Sequence, residues 1–160
     1  MARSALSIET RIEFPAWRRE WPQARVEVRR FLSQAAQHPE INVAAKGAVA
    51  IVMTDDARVR RLNRQFRGKD QATNVLSFPD QSVPLGGIAL AFETLRQESM
   101  EQHKQFVNHA KHMILHGFFH LLGFDHQTTR QARLMERLEI AILWEMGIPN
   151  PYVIETKTRA

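Results

Sequence analysis

The order of apolar and polar residues predicts strands concentrated in the first half of the chain and helices concentrated in the second. Alternation in LSIETRIEF predicts a first strand, and a connection punctuated by Pro15 and Pro22 follows it. Apolar positions at helical spacing then run from Pro22 to Pro39. VAAKGAVAIVM is typical of a buried strand, while ATNVLSF and GIALAF predict two further strands joined by the turn region DQSVPLGG.

Helical spacing predicts three further helices, one before the last two strands and two after them. Val59, Leu62 and Phe66 form one apolar stripe at this spacing. Caps and glycines place three helices, which run from Thr54 or Asp55 to Gly68, from about residue 103 to 122, and from near Thr128 to near Gly147. The sequence therefore predicts one α+β domain over residues 1–160, with a small mixed four-stranded sheet packed with about five helices.

Composition and charge exclude several classes of protein. With 160 residues, 44% hydrophobic and 24% charged, the chain suits one globular domain. It contains no apolar run of the ~20 residues that a membrane helix needs and no signal-peptide core, so we expect no membrane partner and a cytoplasmic location. Its lack of cysteine excludes thiolate metal ligands, disulfides and cysteine nucleophiles. The net charge of +5 favours a polyanionic partner.

The segment HGFFHLLGFDH carries the clearest chemistry. His116 and His120 are four residues apart in the predicted long helix, so both rings can converge on one ion. Gly123 can turn the chain in a left-handed conformation and bring His126 back to the same point. Three ligands with a fourth position open to water are typical of a catalytic zinc site at the end of a long buried helix. Imidazole also suits other divalent metals such as nickel.

Two neighbouring residues have two interpretations each. The carboxylate of Asp125 could orient a ligand imidazole, or Asp125 could simply be a turn residue at the helix exit. His112 lies on the same helix face as His116 and could support the site, or it could be a packing or surface residue. The sequence leaves both alternatives open.

The spacing HxxxHxxGxxH also occurs in metzincin zinc proteases. Those enzymes carry a glutamate directly after the first histidine as general base. Gly117 occupies that position here, and glycine can neither accept a proton nor polarise water. Peptide hydrolysis is therefore the weaker alternative.

At this point the chain resembles the YbeY-like endoribonucleases, also called rRNA maturation factors. Their signature HGxLHLxGYDH is matched from His116 to His126, with Phe119 and Phe124 as apolar replacements. NRQFRGKDQATNVLSFP, at residues 63–79, is similar to a second family block and places Arg67 at its arginine. Glu139 and the segment ending at Tyr152 fit the closing helix and tail.

The resemblance implies a zinc ion held by the three histidines and single-strand-specific RNA cleavage. It links that activity to 3′-end maturation of small-subunit rRNA and to ribosome quality control, with the small subunit or its proteins as partners. Independently of the resemblance, a guanidinium such as that of Arg67 suits phosphodiester cleavage, because it can hold a phosphate bidentately and stabilise developing negative charge. Lys69 could follow the RNA backbone. Ser77 could contact substrate or pack at a strand end.

One departure from the family pattern is Gly87, which stands where the family usually has an acid in L-G-D-I. This chain therefore lacks that acid and any role that the acid has near the site. The attacking nucleophile, either water or the RNA 2′-hydroxyl, stays open, as does the oligomeric state. The alternative from another class is a non-catalytic ribosome-assembly factor in which the metal stabilises the fold.

Overall fold

A computed structural model describes residues 6–41 and 47–153. The strands are β1 (Ser7–Ile12), β2 (Ala48–Thr54), β3 (Val75–Asp80) and β4 (Val83–Ala91). The helices are α1 (Ala16–Glu20), α2 (Ala24–Ala36), α3 (Asp56–Arg67), α4 (Phe92–Glu101), α5 (Phe106–Leu121) and α6 (Thr129–Glu145). Together they confirm the predicted α+β class with a four-stranded mixed sheet.

The sheet has the strand order β1-β2-β4-β3. β1 and β4 both pair with β2 in parallel, whereas β3 pairs antiparallel with β4 and forms one edge. The hairpin turn is shorter than the sequence predicted, because Asp80 pairs directly with Val83. Residues 83–86 therefore belong to strand β4, and placing them in the turn was wrong, whereas Gly87 was correctly placed in the strand. Pairing of β4 with β2 begins only at Gly86, so Pro84 costs no hydrogen bond to β2.

The two faces of the sheet are covered unequally. A large apolar core fills the space between one face and the helices α1, α2, α4, α5 and α6. A smaller cluster lies on the other face, where α3 packs Val59 and Leu62 against β2, β3 and β4. The histidine helix α5 crosses the large-core face, and α3 lies on the opposite one. The edge strand β3 consequently separates the two helices that carry the candidate site residues.

Local sequence signals set both ends of α3 and the start of α6. The side chain of Asp55 accepts a hydrogen bond from the backbone N–H of Arg58 at 2.8 Å and caps α3. Gly68, with φ of 66°, ends the same helix in the left-handed conformation. Thr128 begins α6 with a reciprocal capping box.

Two helices were missed by the sequence pattern. Residues 16–20 form the short helix α1 inside the segment predicted as a connection, and α4 occupies residues 92–101 after the last strand. The long helix begins at Phe106 rather than near residue 103, because His103 has a φ of 53° and lies in the turn after α4. The described part of the chain therefore contains six helices.

Among the described residues, no helix is both long enough and apolar enough to cross a membrane. The predicted domain span of 1–160 includes residues outside the described ranges and stays a prediction.

Candidate metal centre

Three histidines converge at the C-terminal end of α5. His116 and His120 lie one helical turn apart, and the helix ends at Leu121. Gly123, with φ of 95°, then redirects the chain and brings His126 back towards them. One ring nitrogen from each histidine lies within 4.8 Å of the others, so these side chains form a group that could hold a metal ion.

The spacing and chemistry of this group fit a metal ion. The Nε2 atoms of His116 and His120 are 3.1 Å apart. Tetrahedral zinc with bonds of about 2.0–2.1 Å separates its imidazole nitrogens by roughly 3.3 Å. Burial and the neighbouring rings of His116 and His126 lower the pKa of His120, which favours the neutral imidazole that binds a metal.

A carboxylate from α6 orients the first of these rings. Glu139 is fully buried, and one of its oxygens lies 2.7 Å from Nδ1 of His116. Its other oxygen lies 3.0 Å from Nε2 of His112 and accepts a hydrogen bond from the hydroxyl of Tyr152. A proton on Nδ1 of His116 leaves the lone pair on Nε2, which faces His120. Glu139 therefore selects the tautomer of His116 that a metal ion needs.

The electrostatics of this cluster keep Glu139 ionised. Burial by itself raises the pKa of a carboxyl group, but the hydrogen bonds from His112, His116 and Tyr152 outweigh it and lower the pKa of Glu139 to about 2. In the opposite direction, burial and the adjacent carboxylate raise the pKa of Tyr152. The centre thus contains a carboxylate behind the histidines that is ionised at neutral pH.

The sequence offered Asp125 as the acceptor for a ligand imidazole. In the structure, the Asp125 carboxylate accepts the backbone N–H of His126 at 2.7 Å, so it bonds to the turn that carries the third histidine. The imidazole of His116 is held by Glu139 instead. His112 is buried and reaches His116 through that same carboxylate. A role for Asp125 towards a ligand ring stays a prediction.

Glu139 could have been found from the sequence by its setting. It lies within the buried stripe of α6, whose other members are Met135, Leu138, Ile142 and Leu143. A carboxylate at a core position needs hydrogen-bonding partners, so its place in an apolar stripe was a signal. Tyr152 lay in the matched tail segment, but nothing in the sequence connected it with Glu139.

A second carboxylate and histidine pair lies deeper along α5. Nε2 of the buried His109 lies 2.9 Å from Glu98, whose carboxylate also accepts a hydrogen bond from Asn74 at 3.0 Å. Burial lowers the pKa of His109, although the bond to Glu98 opposes this shift. This pair joins α4, α5 and the start of β3 beside the metal centre.

The distant arginine predicted by the sequence faces the same space as the histidines. A cavity of about 540 Å³ is lined by Arg67, Lys69, Ser77, His112, His116 and His120, among others. A second cavity of about 670 Å³ shares Arg67, Ser77 and His120 and continues to Asp125 and His126. We refer to these two spaces as the central groove. It brings all the residues predicted for the site to one surface.

Hydrogen bonds tie the loop after α3 back to the helix that ends at Arg67. Arg60 holds Asp70 through two hydrogen bonds of 2.8 and 3.2 Å, and the buried Asn63 donates to the backbone oxygen of Gln71 at 2.9 Å. Both contacts join the helix to the loop that follows Gly68. The arginine-rich face of α3 therefore includes structural contacts as well as side chains exposed to the groove.

Gly117 has a packing role that the sequence did not predict. A Cβ at this position would lie 2.9 Å from a methyl of Ile88 and 3.1 Å from Oγ of Ser77, because α5 crosses the sheet closely. Ser77 also donates a hydrogen bond to the backbone oxygen of Gly117 at 2.8 Å. The position after His116 thus faces the sheet and has no space for the glutamate of a metzincin protease.

Comparison with known proteins agrees with this geometry. The family model "Endoribonuclease YbeY" matches residues 12–147. The endoribonuclease YbeY of Bradyrhizobium diazoefficiens is 43% identical over 147 residues, which cover 85% of this chain and 79% of that protein. The endoribonuclease YbeY of Nitrobacter winogradskyi is 41% identical over 164 aligned residues, covering 95% and 85% respectively.

A solved structure supports the fold. The solution structure of TM1509 from Thermotoga maritima aligns with a TM-score of 0.50 at 18% identity, covering 96% of this chain and 99% of that one. At this identity the similarity concerns the fold alone. The matched family model and the sequence relatives carry the assignment: this chain belongs to the endoribonuclease YbeY family.

Proposed function

We propose that this protein is a zinc-dependent endoribonuclease that cleaves single-stranded RNA during 3′-end maturation of small-subunit rRNA and in ribosome quality control. We further propose that it acts in the cytoplasm, with the small ribosomal subunit or its proteins as partners. The observation that carries the catalytic proposal is the central groove, in which Arg67 faces the same space as His116 and His120. Family membership supports RNA as the substrate.

Each part of the groove has a task in this mechanism. His116, His120 and His126 would hold the ion, which supplies a Lewis acid and a bound water of lowered pKa when present. Glu139 keeps the ring of His116 oriented. Arg67 binds the phosphate and stabilises the negative charge that develops on its oxygens. Lys69 lines the groove beside Arg67 and can bind a neighbouring phosphate.

The test is cleavage of a fluorescently labelled single-stranded RNA by the purified, zinc-loaded chain. We expect His120→Ala to abolish cleavage and to reduce bound zinc, measured by elemental analysis. Arg67→Ala should retain the zinc and lower kcat by about 10²–10³-fold, the usual cost of removing one group that stabilises the transition state. Arg30→Ala provides the matched control, since Arg30 is exposed on α2 and lies outside the lining of the groove.

The outcomes separate this proposal from its alternatives. Full cleavage by Arg67→Ala would remove the phosphate-binding role of that side chain. Absence of cleavage by the zinc-loaded chain, combined with stable binding to small ribosomal subunits, would favour a non-catalytic assembly factor. Native protein without zinc but with another metal, such as nickel, would correct the identity of the ion.

A further inference from the structure

An exposed aromatic residue is adjacent in sequence to the predicted phosphate-binding arginine. Phe66 precedes Arg67 at the end of α3, and 39% of its surface is exposed. Its ring stacks on that of Phe78, with centroids 5.4 Å apart and an interplanar angle of 23°. Phe78 is only 7% exposed, so the pair consists of a supported inner ring and an outer ring that faces solvent.

Gly87 makes room for the inner ring. It pairs with Phe78 across strands β3 and β4, and a Cβ at this position would lie 2.4 Å from Cζ of Phe78. The phenylalanine ring therefore occupies the space where the family's usual acid would begin. On the α3 face of the sheet, the ring of Phe78 therefore packs directly over Gly87.

The platform formed by the rings of Phe66 and Phe78 is continuous with the central groove. Phe78 and Pro79 line the half of the groove that contains Arg67, His120 and His126. The same two residues line a neighbouring cavity of about 380 Å³, whose wall includes Phe66. A strand of nucleic acid held at Arg67 can therefore pass around the edge strand β3 and reach the ring of Phe66.

The charges in the neighbouring cavity distinguish between parts of a nucleotide. Arg11 and Arg58 line it, but so do Glu13 and Asp80, so its formal charge is balanced. Two positive and two negative side chains give a second phosphate little net electrostatic attraction, whereas a neutral base can stack on an exposed aromatic face. Both arginines already have acidic partners. Arg11 forms an ion pair with Glu9, and Arg58 lies 3.9 Å from Glu13.

We propose that Phe66, supported by Phe78, is a stacking subsite for one base of the single-stranded RNA whose neighbouring phosphate is held by Arg67. This inference rests on the proposed function and adds a binding residue outside the metal centre. Stacking on an aromatic face tolerates any base, because every base has a π-face. The subsite would therefore strengthen binding and position the strand without selecting a sequence.

The test compares three variants of the zinc-loaded chain in steady-state cleavage of a labelled single-stranded RNA. Phe66→Leu keeps apolar bulk against Phe78 but removes the π-face, and Phe66→Tyr keeps the ring. Leu134→Ala is the matched control, because Leu134 is 40% exposed on α6, away from the groove. We expect Phe66→Leu to raise KM about fivefold or more with kcat nearly unchanged, since base stacking on an aromatic side chain is worth about 1–3 kcal/mol.

A second readout identifies the base itself. In a series of RNAs, each with one abasic position, the abasic position moves along the strand. Phe66→Leu and the unmodified chain should have the same KM only for the RNA that lacks the stacked base. Phe66→Tyr and Leu134→Ala should cleave like the unmodified chain. Equal KM values for Phe66→Leu and Leu134→Ala would overturn the subsite while leaving the proposed function intact.

Failure of the proposed function gives a different result. If the unmodified zinc-loaded chain neither binds nor cleaves single-stranded RNA, both proposals are refuted together. If cleavage is normal in all variants but Phe66→Leu weakens association with a ribosomal protein, the platform is a protein contact and the stacking proposal is wrong.

Discussion

Glu139 provides the sharpest test of how the fold prepares the metal centre. Its buried carboxylate accepts hydrogen bonds from His116 at 2.7 Å, from His112 at 3.0 Å and from Tyr152. In Glu139→Gln, one oxygen can still accept a hydrogen bond, but the amide nitrogen is a donor that faces other donors. One histidine must therefore lose its partner or change tautomer, and in His116 such a change moves a proton onto the metal-facing nitrogen.

The expected loss follows from these contacts. Removing a partner that orients a metal-binding histidine usually weakens metal binding about 10–100-fold, which corresponds to about 1.4–2.7 kcal/mol. Tyr152→Phe removes only one of the three hydrogen bonds and leaves the bond to His116 intact. We therefore expect less than a tenfold loss for Tyr152→Phe and a larger loss for Glu139→Gln.

Zinc affinity is measured by competition with a chromophoric chelator, after circular dichroism has shown that each variant is folded. Glu136→Gln is the matched control, since Glu136 is an exposed glutamate on the same helix. The reasoning would be refuted if Glu139→Gln and Glu136→Gln bound zinc equally well. If Glu139→Gln does not fold, Tyr152→Phe still tests the cluster. In that variant, an unchanged zinc affinity together with an unchanged ring orientation of His116 by NMR would show that Tyr152 contributes nothing to the site.

Three further predictions concern packing, pH and salt. Gly117→Ala should lower the free energy of unfolding by about 1 kcal/mol in urea denaturation, because the crowding against Ile88 outweighs the gain in helix propensity; a stabilised variant would contradict the close approach. Burial lowers the pKa of His109 from 6.5, so as the pH falls below 6.5 the unfolded chain binds a proton that the folded chain does not, and stability decreases. His109→Gln, which can still donate to Glu98, should reduce this decrease between pH 6.5 and 5, and an identical pH profile would contradict it. Arg67→Ala should reduce the slope of the logarithm of RNA affinity against the logarithm of salt concentration by about 0.7, the value for one phosphate contact on a single strand; an unchanged slope would place Arg67 away from phosphate.

Replacement of the family's acid by Gly87 has a structural counterpart in the position of Phe78. The sequence showed only that a carboxylate was absent. The structure shows that the ring of Phe78 lies where a side chain at position 87 would begin. Gly87 thus leaves room for the ring of Phe78, which supports the exposed ring of Phe66.

Local patterns were sufficient for the spacing of the metal ligands and for two helix caps, where the deciding interaction spans only a few residues. The spacing of His116 and His120 and the glycine at 123 predicted that three rings would converge, and the structure brings them together. Helical periodicity and the left-handed glycine are short-range properties of the backbone, so they act identically in any fold. The caps at Asp55 and Thr128 were predictable for the same reason.

Tertiary packing decided every contact between distant segments. Glu139 reaches His116 only because α6 packs beside α5, and Gly117 is required only because α5 crosses the sheet within contact of Ile88. The sequence alone therefore determined which residues can bind a metal, because ligand spacing is set by local helix geometry. The fold decided which carboxylate orients them and that Arg67 shares their groove, because these contacts depend on how separate elements pack.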